Sequence, residues 1–170
     1  MNNLKSRRAF IVGLSSTKIT NKERLFLRKY KPWGVILFAR NIKSVDQTKK
    51  LTNDIKKIFK DPNYPILIDE EGGMVTRIKS IIDNSHFPAK YFGDNYKKDK
   101  TKSLLYLRTY IKQISYLLRY MGISINTVPV LDIPRPFTSK IIGTRAISKD
   151  INVINKIGEK TIEHFKEARI

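Results

Sequence analysis

Gly34-Val35-Ile36-Leu37-Phe38-Ala39 is the stretch on which the fold turns. These six residues carry no charge and do not alternate polar with apolar, as a strand with one wet face does. Continuous apolar character is what a strand covered on both faces requires, the situation of a parallel sheet sandwiched by helices. Upstream, residues 10–14 (Phe10, Ile11, Val12, Gly13, Leu14) read as a shorter strand, and Thr20-x-x-Glu23 is a capping box opening a helix that carries Leu25, Phe26 and Leu27. Downstream, Ser44-x-x-Gln47 caps a second helix with Leu51, Ile55, Ile58 and Phe59 on one stripe.

The alternation continues. Pro65 and residues 66–69 form a third strand, and an irregular stretch is expected over 78–99, long enough to be functional or disordered. Leu104, Leu107, Ile111, Ile114, Leu118 and Met121 then recur at three- and four-residue steps, predicting a helix that Gly122 ends. A fourth strand falls within 123–132. Asp150 caps a last helix whose inner face holds Ile154, Gly158, Thr161, Phe165 and Ala168. Four βα units are compatible with an open doubly wound sheet or with part of a closed barrel, and periodicity does not choose. The first βα turn has no G-x-G-x-x-G, and no Gly-rich loop leads into Lys-Ser/Thr, so nucleotide-binding readings lose their main support. The expectation is an α/β chain forming the N-terminal half of a TIM (β/α)8 barrel, about four βα units, with residues 1–170 as one partial domain. Such a half leaves its first and fourth strands as unpaired edges, met by a second half-barrel chain, by self-association, or by degradation of a decayed gene's product.

Composition narrows the function classes. Lys+Arg 34 against Asp+Glu 15 gives a formal charge of +19, which would draw nucleic acid or an anionic membrane if gathered on one face. In the linear sequence the lysines occur singly or in pairs on helix faces (Lys49, Lys50, Lys56, Lys57) and in one short segment, Lys97 to Lys102, so they read as a solvated surface, and an AT-biased genome would enrich Lys, Ile and Asn without functional meaning. Nucleic acid is therefore not the expected partner. No cysteine is present, which removes disulfides and thiolate metal sites and fits a reducing compartment. Lys5, Arg7 and Arg8 before residues 9–14 imitate a secretory leader, but that apolar run is too short, and no stretch approaches the roughly twenty apolar residues of a membrane span. The chain reads as cytoplasmic, without membrane contact and without cofactor.

The residues suited to chemistry cluster after the third strand. Asp69-Glu70-Glu71-Gly72-Gly73 places three carboxylates and two glycines at a strand end, where carboxylates accept hydroxyl hydrogen bonds and glycine lets backbone approach a ligand closely. A solvated acidic turn fits the same letters. Arg77 and Arg145 each offer a planar fork of donors for sugar oxygens or a carboxylate. Asp132 is read as bonding backbone or an arginine. His86 and His164 lack metal-ligand spacing, and His164, within Glu163-His164-Phe165, is read as a helix-face residue.

With these pieces in order, the chain resembles glycoside hydrolase family 3, in particular its bacterial β-N-acetylhexosaminidases of cell-wall recycling. The matching motifs are Gly34-Val-Ile-Leu-Phe-Ala-Arg40-Asn41, Ile68-Asp69-Glu70-Glu71-Gly72-Gly73 with Val75 and Arg77, Val128-Pro129-Val130-Leu131-Asp132, and Ile142-Gly143-Thr144-Arg145. The resemblance implies a TIM barrel, a glycosidase activity, and a pocket for a terminal N-acetylglucosamine whose hydroxyl groups Asp69, Arg77 and Arg145 would hold. It also implies two segments that this sequence does not contain: Lys-His-Phe-Pro-Gly-His-Gly with its histidine acid/base, and a later Ser-Asp-Asp-like segment with the nucleophile. Glu163-His164-Phe165 imitates the first without its Pro-Gly-His-Gly. Retaining hydrolysis needs both groups. The expectation is thus sugar binding with no catalytic residue in these 170 positions; the rival expectation is a non-catalytic module that binds sugar or RNA.

Overall fold

In the computed structural model, which describes residues 7–137 and 139–170, the apolar stretches become β1 (Arg8–Gly13), β2 (Pro32–Leu37), β3 (Ile66–Ile68) and β4 (Ile125–Asn126). Lys5 of the leader-like segment lies outside the described residues. Five α-helices intervene: α1 (Asn21–Tyr30), α2 (Val45–Phe59), α3 (Ala89–Lys98), α4 (Lys100–Tyr120) and α5 (Ile151–Glu167). Each strand pairs in parallel with the next, in the order β1-β2-β3-β4. A doubly wound sheet reverses its strand order at a switch point, whereas a barrel adds strands consecutively, so the order selects the barrel half. β1 and β4 are the outer strands, each paired on one side only within this sheet.

Apolar pattern sets the layers. Val35, Leu37, Ile66 and Ile68 are fully buried in the sheet, and Leu27, Leu51, Ile55, Ile114 and Leu118 cover it from α1, α2 and α4. Burying each such side chain contributes about 1.5–3 kcal/mol. A second cluster, Phe92, Leu107, Ile111, Ile154, Ile157 and Phe165, joins α3, α4 and α5. The helix starts follow the chemistry read from sequence. Thr20 and Glu23 form the reciprocal box and Asp150 caps α5, while Asp99, which the sequence reading did not single out, caps α4. Ser44 caps α2, but Gln47 departs from the box: its oxygen accepts from Lys43 N, and its amide donates to Thr17 and Asn41 carbonyls, tying the helix to the β1 exit loop.

Several expectations need correction: the first strand runs Arg8–Gly13 rather than 10–14, and the third is Ile66–Ile68, without Pro65 or Asp69. The second strand ends at Leu37, two residues short of the expected Ala39, because a 3₁₀ turn (Ala39–Asn41) begins there. Asn41 drives that turn: its buried side chain accepts from Phe38 N and donates to the carbonyls of Leu14 and Ser16, joining the exits of β1 and β2. The fourth strand occupies only two positions of 123–132, since Pro129 has no N–H to continue a ladder. The region 78–99 is not wholly irregular, because α3 fills its second half. That helix hid because Pro88 supplies no side-chain cap and Gly93 sits in its middle, where glycine costs roughly 1 kcal/mol. Gly93 is there for packing: a Cβ would stand 2.0 Å from the Ile147 carbonyl oxygen.

Candidate functional site

The C-terminal ends of all four strands meet at one rim, the edge where barrels of this kind keep their binding groups. Asp69 leaves β3 one residue after Ile68, and Thr127 leaves β4 one residue after Asn126. The Thr127 hydroxyl donates to Asp69 Oδ1, while Arg77 Nη2 approaches Asp69 Oδ2 at 3.4 Å. That arginine contact is long for a hydrogen bond, and both side chains are about one-quarter exposed, so the pair is loosely made. Arg77 Nε is buried without a partner, and its guanidinium carbon lies 5.6 Å from the centre of the Phe38 ring at the end of β2. Arg40 stacks on the same ring at 4.6 Å and donates from Nε to the Leu14 carbonyl.

Glu70 organises everything that follows β3. Its side chain is 2% exposed and its carboxylate accepts four hydrogen bonds: Thr76 Oγ1 (2.9 Å) and Asn84 Nδ2 (3.3 Å) on one oxygen, Arg77 N (2.6 Å) and Ile78 N (3.2 Å) on the other. Its own backbone N–H and carbonyl are held by the Asn126 amide across the sheet. A buried carboxylate survives only with such a set of donors. By fixing the backbone of Arg77, Glu70 sets where that arginine's side chain starts. Gly72 and Gly73, at φ +76° and +63°, let the loop pass beneath residues 87–88; a Cβ on Gly72 would stand 2.3 Å from the Phe87 carbonyl oxygen. The close approach that requires glycine is therefore to the chain itself, a correction to the expectation of approach to a ligand.

Arg145 comes to this rim from the 3₁₀ turn Gly143–Arg145 and makes a bidentate pair with Glu71, Nε to Oε2 at 2.8 Å and Nη2 to Oε1 at 2.9 Å. The hydrogen bonds from Glu71 first, then the charges of Glu71, Asp132 and Asp69, hold the guanidinium protonated against the opposing cost of desolvation. Asp132 thus acts on Arg145 from an exposed position. The three expected residues Asp69, Arg77 and Arg145 share one rim, at positions separated by up to 76 residues of sequence (145 − 69). Two of the five guanidinium donors of Arg145 are taken by Glu71, and Asp69 has two of about four lone-pair positions occupied, so both retain capacity for hydroxyl groups. Behind the Glu71–Arg145 pair lies a cavity of about 40 Å³ lined mainly by apolar groups such as Phe92, Ile111, Val130 and Phe165.

Sequence reasoning missed Glu71 as the partner of Arg145, the clamp of Glu70, and Asn126 and Thr127. A signal for the last two was present: a polar pair interrupting the apolar stretch 123–130 marks the strand's exit. His164 lies on α5 with Nδ1 3.3 Å from Glu167, on a helix face as expected. Among the described residues no three His, Cys, Asp or Glu side chains are placed to hold a metal ion.

With this geometry in place, comparison with known proteins is informative. The family described as "Glycosyl hydrolase family 3 N terminal domain" matches residues 3–170. The chain is 30% identical over 144 residues to a protein named beta-hexosaminidase from Xanthomonas campestris pv. campestris, covering 85% of this chain and 42% of that protein. It therefore spans less than half the length of the curated relatives it matches. Native NagZ from Neisseria gonorrhoeae superposes with a TM-score of 0.85 at 22% identity, over 96% of this chain and 47% of that one. A second structure of NagZ from that organism, in complex with N-trifluoroacetyl-D-glucosamine, gives 0.83 at 22% identity over 96% and 48%. At this identity the superpositions speak for the fold.

Proposed function

Because the chain belongs to glycoside hydrolase family 3, as a match along residues 3–170 establishes, we propose that its strand-end rim is the sugar-holding half of a β-N-acetylglucosaminidase site. Asp69 would accept hydrogen bonds from ring hydroxyls, and Arg77 and Arg145 would donate to the sugar oxygens. The observation that carries this reading is the convergence of the three side chains with spare bonding capacity, above all the partnerless Arg77 Nε and the loosely made Asp69–Arg77 contact. A pair serving stability alone would be closed in both directions, whereas Asp69 keeps open acceptor positions and Arg77 and Arg145 keep open donors.

Two carboxylates or their equivalents must flank the scissile bond in retaining hydrolysis, one attacking the anomeric carbon and one protonating the leaving oxygen. On this rim the carboxylates nearest β3 already have roles. Glu70 is buried under four donors, Glu71 is locked on Arg145, and Asp69 is held by Thr127. These 170 residues therefore bind the saccharide without completing its hydrolysis, and the acid/base and nucleophile come from elsewhere. The single-sided pairing of β1 and β4 supports a second half-barrel as the neighbour across those edges. The proposed substrate is a terminal N-acetylglucosamine of cell-wall saccharides, in cytoplasmic peptidoglycan recycling; no helix among the described residues is long and apolar enough to cross a membrane.

The test is an assay of the purified chain with a chromogenic N-acetylglucosaminide, beside a measurement of N-acetylglucosamine binding by calorimetry. Saturable binding that Asp69→Ala abolishes, without turnover, is the expected result. Turnover by the chain alone, or no binding at any concentration, overturns the reading.

A further inference from the structure

The α4 helix packs against α3 and α5, and its outward stripe carries residues at helical spacing that the linear sequence scatters: Arg108, Lys112, Tyr116, Arg119 and Tyr120. From Arg108 to Arg119 the stripe is about 16 Å long at 1.5 Å per residue. Tyr116 is 74% exposed and Tyr120 48%, an unusual degree for two aromatic rings, and they lie nearly parallel at 6.4 Å and 19°. Lys49 of α2 covers Tyr120, its ammonium 3.9 Å from the ring centre. Lys112, Tyr116, Arg119, Tyr120 and Ala168 line one shallow groove that contains no carboxylate side chain. The adjoining groove, lined by Arg108, Lys112, His164, Glu167 and Ala168, holds one acid, and Glu167 is turned toward His164 at 3.3 Å. Neither Arg108 nor Lys112 enters an ion pair among the described residues, and Arg119 spends one N–H on the Ala168 carbonyl, at 3.1 Å.

We propose that this stripe is a binding surface for single-stranded nucleic acid. Cations without acidic partners attract phosphates, and exposed tyrosines give the unpaired bases a face to stack on. The combination distinguishes a single strand from a duplex, whose bases are already stacked, and from an anionic bilayer, which would not need parallel rings. The stripe's tyrosines lie at the end of α4 that leads into β4, so they sit at the opposite end of the strands from Asp69, Arg77 and Arg145. Occupancy of one surface leaves the other free.

Fluorescence anisotropy of a labelled oligouridine titrated with the full chain, over a series of salt concentrations, tests this. Tyr116→Ala is expected to weaken binding roughly tenfold at fixed salt. The triple variant Arg108→Gln, Lys112→Gln, Arg119→Gln is expected to reduce the slope of log affinity against log salt by about 2, three phosphates at roughly 0.7 each. A charge-matched control, Lys97→Gln, Lys98→Gln, Lys100→Gln, separates the stripe from the general +19 charge. All substitutions are at exposed positions, and circular dichroism verifies the fold. Equal losses in stripe and control variants, no effect of Tyr116→Ala, equal affinity for an RNA duplex, or preferential binding to phosphatidylglycerol vesicles would each overturn the proposal.

Discussion

Replacing Glu70 by alanine removes the acceptor of four donors in a site that solvent does not reach. Leaving a buried donor unsatisfied costs about 1–3 kcal/mol. Two of the four, the Thr76 hydroxyl and the Asn84 amide, can turn toward other acceptors, whereas the N–H groups of Arg77 and Ile78 are fixed by the backbone. The two fixed donors alone imply about 2–6 kcal/mol, a large share of the 5–15 kcal/mol that holds a domain together. Glu70→Gln keeps the shape. Its oxygen can face the two backbone N–H groups while its amide meets Thr76 and Asn84, both able to accept, so the expected cost falls to about 1–3 kcal/mol, that of charge-assisted bonds made neutral. Urea unfolding followed by circular dichroism gives both values. Hydrogen exchange at Arg77 and Ile78 adds the local reading, with protection lost in the alanine variant and largely kept in the glutamine variant. Alanine and glutamine variants of equal stability would refute the clamp.

Other expectations follow from single contacts. Gly93→Ala gains about 1 kcal/mol of helix propensity but drives a methyl group into the Ile147 carbonyl, so a lower urea midpoint is expected; a higher one would show that the α3 contact yields freely. Burial raises the Glu23 carboxyl, but the hydrogen bonds from Ser15 and Thr20 together outweigh it and hold the group below the usual glutamate range. Its stabilisation is thus present at neutral pH and lost as pH falls through the lowered value, so the stability gap between the native chain and Glu23→Gln should narrow below about pH 4; a gap unchanged to pH 2 contradicts this. Thr127→Val frees Asp69 and should weaken N-acetylglucosamine binding several-fold while shifting stability by about 1 kcal/mol, checked by calorimetry and thermal melts; unchanged affinity would remove Thr127 from the site.

The layering was legible because it follows from one-dimensional patterns. Residues 34–39 announce a strand buried on both faces, and Thr20, Ser44 and Asp150 announce helix starts, since a cap is a contact within three residues. The site was legible in part. Asp69 could be placed at a strand end and the arginines singled out as forks, but Glu71 pairs with Arg145 across 74 residues and Asn126 with Glu70 across 56, separations that no local pattern encodes. The α3 helix was hidden for a related reason: Gly93 weakens the helical signal, and what justifies it is the Ile147 backbone, far away in sequence. Strand order, which separates barrel half from doubly wound sheet, also came only with the structure.

The central claim is that Asp69, Arg77 and Arg145 act together on one sugar. A titration of isotopically labelled chain with N-acetylglucosamine, followed by nuclear magnetic resonance with the arginine Nε–H groups resolved, tests it most directly. The predicted result is saturating shifts at the Nε–H groups of Arg77 and Arg145 and at the amides of residues 69–71 and 127, sharing one dissociation constant and absent in Asp69→Ala. Shifts confined to other surfaces, or different constants for the two arginines, would contradict the account.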